Sequence, residues 1–124
     1  MKNCLVLGGD WFLGSHLVDD LLMRVYKVRV FGRFKNEKSK SLQHIKNNIE
    51  IFSGDFLYKP DVERALRNTD YVFHLISAST PASSLHKPKE EFEENVLSTI
   101  NLLQFCVNYN IKKIIFPSSG GSIY

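Results

Sequence analysis

Cysteine is scarce in this chain: only Cys4 and Cys106 occur, without a neighbouring histidine or second cysteine at metal or redox spacing. That excludes a zinc module, a thioredoxin-like site and a disulfide framework; both thiols fall where small apolar core residues belong and read as reduced. No apolar run approaches the roughly 20 residues of a membrane span. The start lacks the charged, apolar, then small order of a signal peptide, which points to the cytoplasm. Charge of one sign is also lacking, since 16 Lys and Arg oppose 13 Asp and Glu for a net +3. Basic residues gather only at Arg33, Lys35, Lys38 and Lys40, among Asn, Glu and Ser, the composition of a solvated loop. A nucleic-acid partner would want a broader basic face with exposed aromatics between the charges. With 124 residues, 44% hydrophobic and 23% charged, the chain suits one globular domain with its own core.

The informative stretch runs from Lys2 to Met23. A short apolar run, Cys4-Leu5-Val6-Leu7, meets Gly8-Gly9 and then opens into Phe12-Leu13-Gly14-Ser15-His16-Leu17-Val18. Strand, tight turn and helix in that order put free backbone N–H groups and the positive end of a helix dipole where an anion can sit, and glycine lets the backbone approach it closely. A pyrophosphate is the usual guest. The register Gly8, Trp11, Gly14 departs from the dinucleotide fingerprint at its middle glycine, where Trp11 stands. The same letters also fit a simpler arrangement, in which Gly8-Gly9 only turns the chain and Gly14 only packs helix on strand; the rest of the chain weighs against it.

Downstream, strand-like and helix-like segments alternate. The first helix is expected from Phe12 to Arg24, with Leu13, Leu17 and Leu21 on one stripe and Val18, Leu22 and Val25 beside it. Strands are expected at Lys27–Phe31, Ile49–Phe52, Asp70–Ile76 and Lys112–Phe116, with a weak helix at Ser41–Lys46 and a short helix from Pro60 to about Asn68 that buries Val62, Ala65 and Leu66. The longest helix, Lys89 to Asn108, offers Phe92, Val96, Ile100, Leu103 and Val107 for its buried face, and a second row, Leu97, Leu102 and Phe105, for another helix or a partner subunit.

Five strands alternating with helices give an α/β, doubly wound parallel sheet of Rossmann-like type, in order 3-2-1-4-5. In that architecture ligands lie beyond the carboxyl ends of the strands. The polar, mostly glycine-bearing segments at Gly8-Gly9, Gly32-Arg33, Ser53-Gly54-Asp55, Ser77 to Ser84 and Ser118 to Ser122 all follow strands, so all crowd that edge. Their agreement argues for a nucleotide site more strongly than the glycine motif does alone.

On these residues the chain resembles the extended short-chain dehydrogenase/reductases, and within them the NAD-dependent epimerase/dehydratase group that acts on nucleotide sugars. The matching text is Gly8-Gly9-x-x-Phe12-Leu13-Gly14-Ser15-His16-Leu17, Gly54-Asp55-Phe56, Val72-Phe73-His74-Leu75, Asn95-Val96-x-x-Thr99-x-Asn101-Leu102-Leu103 and Ser118-Ser119-Gly120-Gly121-Ser122-Ile123-Tyr124. The resemblance implies NAD or NADP as cofactor, with Gly8, Phe12, Leu13 and Gly14 around the pyrophosphate. It implies Asp55 and Phe56 beside adenine, Leu75, Ile76 and Ser77 along the nicotinamide, and Asn95 and Ser118 supporting cofactor and active-site loop.

Two departures bear on the cofactor. Where the family often has an acidic residue after the second strand, this chain has Gly32-Arg33; Arg33 either accepts a 2′-phosphate, a lean toward NADP, or is a solvated loop residue. Trp11 either shields the phosphates or blocks the cleft. The resemblance also implies a Tyr-x-x-x-Lys pair as proton donor and its modulator. The one such spacing here, Tyr109 to Lys113, lies at the amino end of the fifth strand and is expected to be a decoy. Gly120 stands where the family commonly has a hydroxyl, leaving Ser122 as the nearest catalytic candidate.

The expectation is therefore a dinucleotide-binding Rossmann domain over residues 1–124, the amino-terminal part of a nucleotide-sugar epimerase or dehydratase without its substrate domain, inactive alone and prone to self-association through exposed apolar surface. Neither a membrane nor a metal is expected. The alternative is a small Rossmann-like nucleotide-binding or interaction module without catalysis.

Overall fold

A computed structural model describes residues 2–8, 12–33, 47–75 and 88–117. The elements are β1 (Asn3–Leu7), α1 (Phe12–Met23), β2 (Lys27–Gly32), β3 (Glu50–Ser53), α2 (Lys59–Leu66), β4 (Tyr71–His74), α3 (Pro88–Asn108) and β5 (Lys113–Ile115). All four strand pairings are parallel, and the sheet order is β3-β2-β1-β4-β5. The expected α/β doubly wound topology is the observed one. The expected helix at Ser41–Lys46 falls outside the described residues.

Strand alternation divides the core in two. Along β1, Cys4 and Val6 point to one face, where Val18 and Leu21 of α1 cover them with Val28 and Val30 of β2. Leu5 and Leu7 point to the other, against Phe31, Val72, Val62, Leu66, Leu102 and Cys106 from β2, β4, α2 and α3. A strand in the middle of a parallel sheet has helices on both faces, which is why the opening run is apolar without alternation. Both cysteines are buried and free, and burial pushes each thiol up to about 11, so they stay protonated and inert.

Two helices face differently from their expected orientation. In α1, Val18 and Leu21 are buried, Leu17 and Leu22 half-buried, while Leu13 and Val25 are exposed. Val25 lies past the helix, at φ 65°, in the left-handed turn where Tyr26 donates to the Leu21 carbonyl. In α3 the correction is larger. The row Ser98, Leu102 and Cys106 faces the core, flanked by half-buried Asn95, Thr99 and Phe105, whereas Val107 is 72% and Ile100 54% exposed. Leu102 and Phe105 of the expected outer row turn inward, and Leu97 stays outside. Serine and cysteine carry little hydrophobic signal, yet their small side chains let α3 approach the sheet and α2 closely enough to seat Leu102 between them.

Candidate functional site

Because the five strands are parallel, their carboxyl ends share one rim, and hydrogen bonds continue the ladder just past the strands there. Gly8 donates to the Phe31 carbonyl at 2.8 Å, Gly54 to the Gly32 carbonyl at 3.0 Å and Leu75 to the Leu7 carbonyl at 2.9 Å. These bonds fix the exits of β1, β3 and β4 against their neighbours. Gly8 has φ 88°, a left-handed conformation in which a side chain would be strained, and the chain leaves β1 through it toward α1.

The amino end of α1 comes up to this rim, since the helix returns antiparallel to the strands. Its first turn contains no acidic side chain. The positive end of its dipole is therefore not neutralised from within the helix, unlike α2, which carries Asp61 in its first turn. Gly14 and Ser15 are buried and Leu13 is exposed. A left-handed glycine, a helix whose first turn carries no acidic side chain and a buried glycine within that turn are features that suit a diphosphate.

At the β3 exit the turn is tightly built. The Asp55 amide donates to Asp61 Oδ2 at 3.0 Å, the Leu57 amide donates to Asp55 Oδ1 at 2.9 Å, and the Arg33 guanidinium pairs with the same Oδ1 at 2.9 Å. Burial alone would raise the Asp55 carboxyl, but Arg33 and the Leu57 amide outweigh it and hold the group below the usual carboxylate range. Arg33 is thus paired with Asp55 at this rim, with both side chains still about half exposed. Phe56 is buried beside it, and Arg64 pairs with Asp61 on the helix that follows.

Of the expected site residues, the structure brings Gly8, the start of α1, Arg33, Asp55, Phe56 and Leu75 to the one rim. Asn95 is half-buried on α3. Trp11, Ile76, Ser77, Ser118 and Ser122 lie outside the described residues, as do Gly9 and the Ser77–Ser84 segment. Lys113 begins β5 opposite Tyr71, the first residue of β4, which puts the Tyr109-to-Lys113 spacing at the amino rim, away from the exits described above. Sequence reasoning missed Asp61 as a partner of the Asp55 amide; its place at the start of a helix after Pro60 was legible, its reach across the turn was not.

A concavity of about 400 Å3 opens at that amino rim, between Asn3, Lys27, Arg29, Asn47, Asn68 and Thr69. Several of its polar groups are already engaged with one another. Arg29 donates to the carbonyls of Ala65 and Arg67 at 2.5 and 2.8 Å and pairs with Glu50, capping the end of α2, and the Asn3 side chain donates to the Asn68 carbonyl. Those groups are occupied in closing the end of α2, which makes the carboxyl rim the better candidate. Among the described residues no group of three or more His, Cys, Asp or Glu side chains could hold a metal, and no helix is long and apolar enough to cross a membrane.

Comparison with known proteins gives a match of residues 4–124 to the sequence model of the NAD dependent epimerase/dehydratase family. The chain is 30% identical over 128 residues to the bifunctional UDP-glucose 4-epimerase and UDP-xylose 4-epimerase 1 of Pisum sativum, covering 95% of this chain and 37% of that protein. It is 34% identical over 118 residues to the UDP-N-acetyl-alpha-D-glucosaminuronate decarboxylase of Bacillus cytotoxicus, covering 95% of this chain and 36% of that protein. Among solved structures, the UDP-glucose 4-epimerase of Thermus thermophilus in complex with NAD superposes with a TM-score of 0.81 at 34% identity, over 96% of this chain and 38% of that one. The chain thus spans a little over a third of the length of these relatives.

Proposed function

The chain belongs to the NAD dependent epimerase/dehydratase family, and from that premise we propose that residues 1–124 form the NAD-binding Rossmann portion of a nucleotide-sugar epimerase or dehydratase. Gly8, Phe12, Leu13 and Gly14 hold the diphosphate, with Trp11 over it; Asp55 and Phe56 flank adenine; Leu75, Ile76 and Ser77 line the nicotinamide; Asn95 and Ser118 support the cofactor and the loop after β5. The observation that carries this reading is the gathering of exits from five parallel strands at one rim, with the start of α1, whose first turn carries no acidic side chain, among them. The chemistry the dinucleotide would supply when bound is hydride transfer, taking up a hydride from the sugar carbon that bears a hydroxyl while that hydroxyl gives up its proton to a base.

This chain's own residues bind and orient; they do not complete a reaction. The Tyr-x-x-x-Lys spacing of the sequence is at the wrong rim, and the 124 residues supply no second such pair. They are accordingly expected to bind cofactor without turnover. The Arg33–Asp55 pair favours NAD over NADP, because a 2′-phosphate would have to displace the Asp55 carboxylate and meet its charge. Calorimetric titration should give saturable heat with NAD and weaker binding of NADP. In Asp55→Asn, where Arg33 is released, the NADP-to-NAD affinity ratio should rise about tenfold, what a charge-assisted hydrogen bond of roughly 1.5 kcal/mol supplies. Heat with neither dinucleotide would remove the cofactor reading, and NADP binding as tightly as NAD in the native chain would remove the role given to the pair.

Self-association belongs to the same proposal. Phe92, Val96, Ile100, Leu103 and Val107 form an exposed apolar stripe along α3, and Ile115 and Phe116 are exposed at β5. Sedimentation at high concentration should show dimers or larger species, and a single monomeric boundary would contradict this.

A further inference from the structure

We propose that His74 is a positioning residue for the dinucleotide site: its uncharged ring holds the Asp55–Phe56 turn and the exit of β5 in one arrangement. The inference rests on the cofactor reading above and adds to it a residue that touches no ligand. His74 ends β4 opposite Leu7, immediately before the rim. Its ring meets the edge of Phe56 at 5.2 Å between centroids, with planes 79° apart, and lies against Phe116 at 4.9 Å with planes 35° apart. Phe56 belongs to the turn after β3, and Phe116 is the first residue past β5. Three rings thus join three separate crossings over the carboxyl end of the sheet, and Phe116 leads directly into Pro117 and Ser118.

Packing alone does not explain a histidine in this place. Nε2 is shut off from solvent and has no hydrogen-bond partner among the described residues. An unpaired buried nitrogen is a cost that a phenylalanine of similar shape would avoid. Protonating the ring would place a cation among apolar groups. On β1 its neighbours Leu7 and Gly8 carry no charge, and beside it on the β5 exit neither do Ile115, Phe116 and Pro117. At the turn and on α2, Asp55 is paired with Arg33 and Asp61 with Arg64. On α3, Glu90, Glu93 and Glu94 are exposed. Burial consequently lowers the ring's basicity below the ordinary histidine value, its backbone hydrogen bond offsetting only part of that.

The folded ring therefore takes up a proton at lower pH than the unfolded one. Its uncharged packing contributes stability that is fully present above about pH 6.5 and is lost as pH falls from there toward the folded pKa. Dinucleotide affinity follows the same proton, dropping by up to about tenfold per pH unit below the pH at which the folded ring titrates.

The test compares the native chain with His74→Phe, which keeps a ring between Phe56 and Phe116 but cannot titrate. NAD is titrated calorimetrically from pH 8 to pH 5, thermal unfolding is followed over the same range, and the His74 ring is followed by NMR in the native chain. Expected are a neutral ring with its proton on Nδ1, a titration midpoint below 6.5, and losses of NAD affinity and thermal stability on acidification that His74→Phe does not share. Parallel affinity profiles in the two proteins, or a His74 midpoint at or above 6.5, would overturn the proposal. Absence of NAD heat at every pH in the native chain would instead overturn the cofactor reading on which it rests, while the stability and NMR profiles still report on the ring. Should His74→Phe fail to fold, the native chain decides: NAD affinity that falls as the His74 ring takes up its proton supports the proposal, and affinity unchanged across that titration overturns it.

Discussion

Leu102→Ala is expected to lower the unfolding free energy by about 2–5 kcal/mol, the range for emptying a leucine site in a packed core. Leu102 has no solvent exposure and lies between the sheet and α2, packed with Leu5, Leu7, Val72 and Leu66 in one cluster. Val107→Ala, further along the same helix, should change stability by no more than about 0.5 kcal/mol, because Val107 projects into solvent. Urea unfolding followed by circular dichroism measures both, with the midpoint moving at constant slope. The pair of substitutions fixes the rotation of α3: the reverse ranking, a large loss at Val107 and a small one at Leu102, would mean that the stripe from Phe92 to Val107 faces the core.

Gly54→Ala should cost about 1–3 kcal/mol, as overpacking into a rigid neighbour does. A Cβ at this position would lie 2.8 Å from Phe31 Cε2 and 3.0 Å from both Cβ and Oδ2 of Asp61. Phe31 is fully buried and stacked on Phe52, so it cannot swing aside. Asp61 cannot move without releasing the Asp55 amide that its carboxylate accepts. The substitution thus strains the core and loosens the turn that carries Asp55, and the proposed adenine contact should weaken together with stability. Denaturant unfolding and NAD titration of the same variant check the two effects; a Gly54→Ala protein as stable as the native one would show that the turn has room the geometry denies it.

Topology was readable from the alternation of short apolar runs with amphipathic ones, because a parallel sheet needs a helix-length crossover between strands and a handedness that leaves few orders open. The placing of Cys4 and Cys106 in the core was readable for a similar reason: a lone thiol in an apolar stretch behaves as a small hydrophobe. The facing of α3 was not. A helix with apolar residues on two stripes has two periodic solutions, and the choice between them depends on the clearance above the sheet, which Ser98 and Cys106 provide and which no hydropathy sum records. The rim itself followed from strands all pointing one way. What Arg33 does there did not, since a guanidinium on a loop is drawn to whichever carboxylate the fold sets nearby, and Asp55, 22 positions later, reaches it only through the pairing of β2 with β3. Arg29 was equally opaque: within an apolar-looking strand it closes the carbonyl end of α2 and lies over Phe52.

The central claim is that the carboxyl rim of the sheet is where the dinucleotide lies. Adding NAD to isotope-labelled chain and following the backbone amides tests it most directly. The account predicts that Gly8, Leu13, Gly14, Asp55, Phe56 and Leu75 shift together along one saturation curve while Asn3, Lys27, Thr69 and Lys113 at the amino rim stay in place. Shifts concentrated at the amino-rim concavity, or none at saturating NAD, would contradict it.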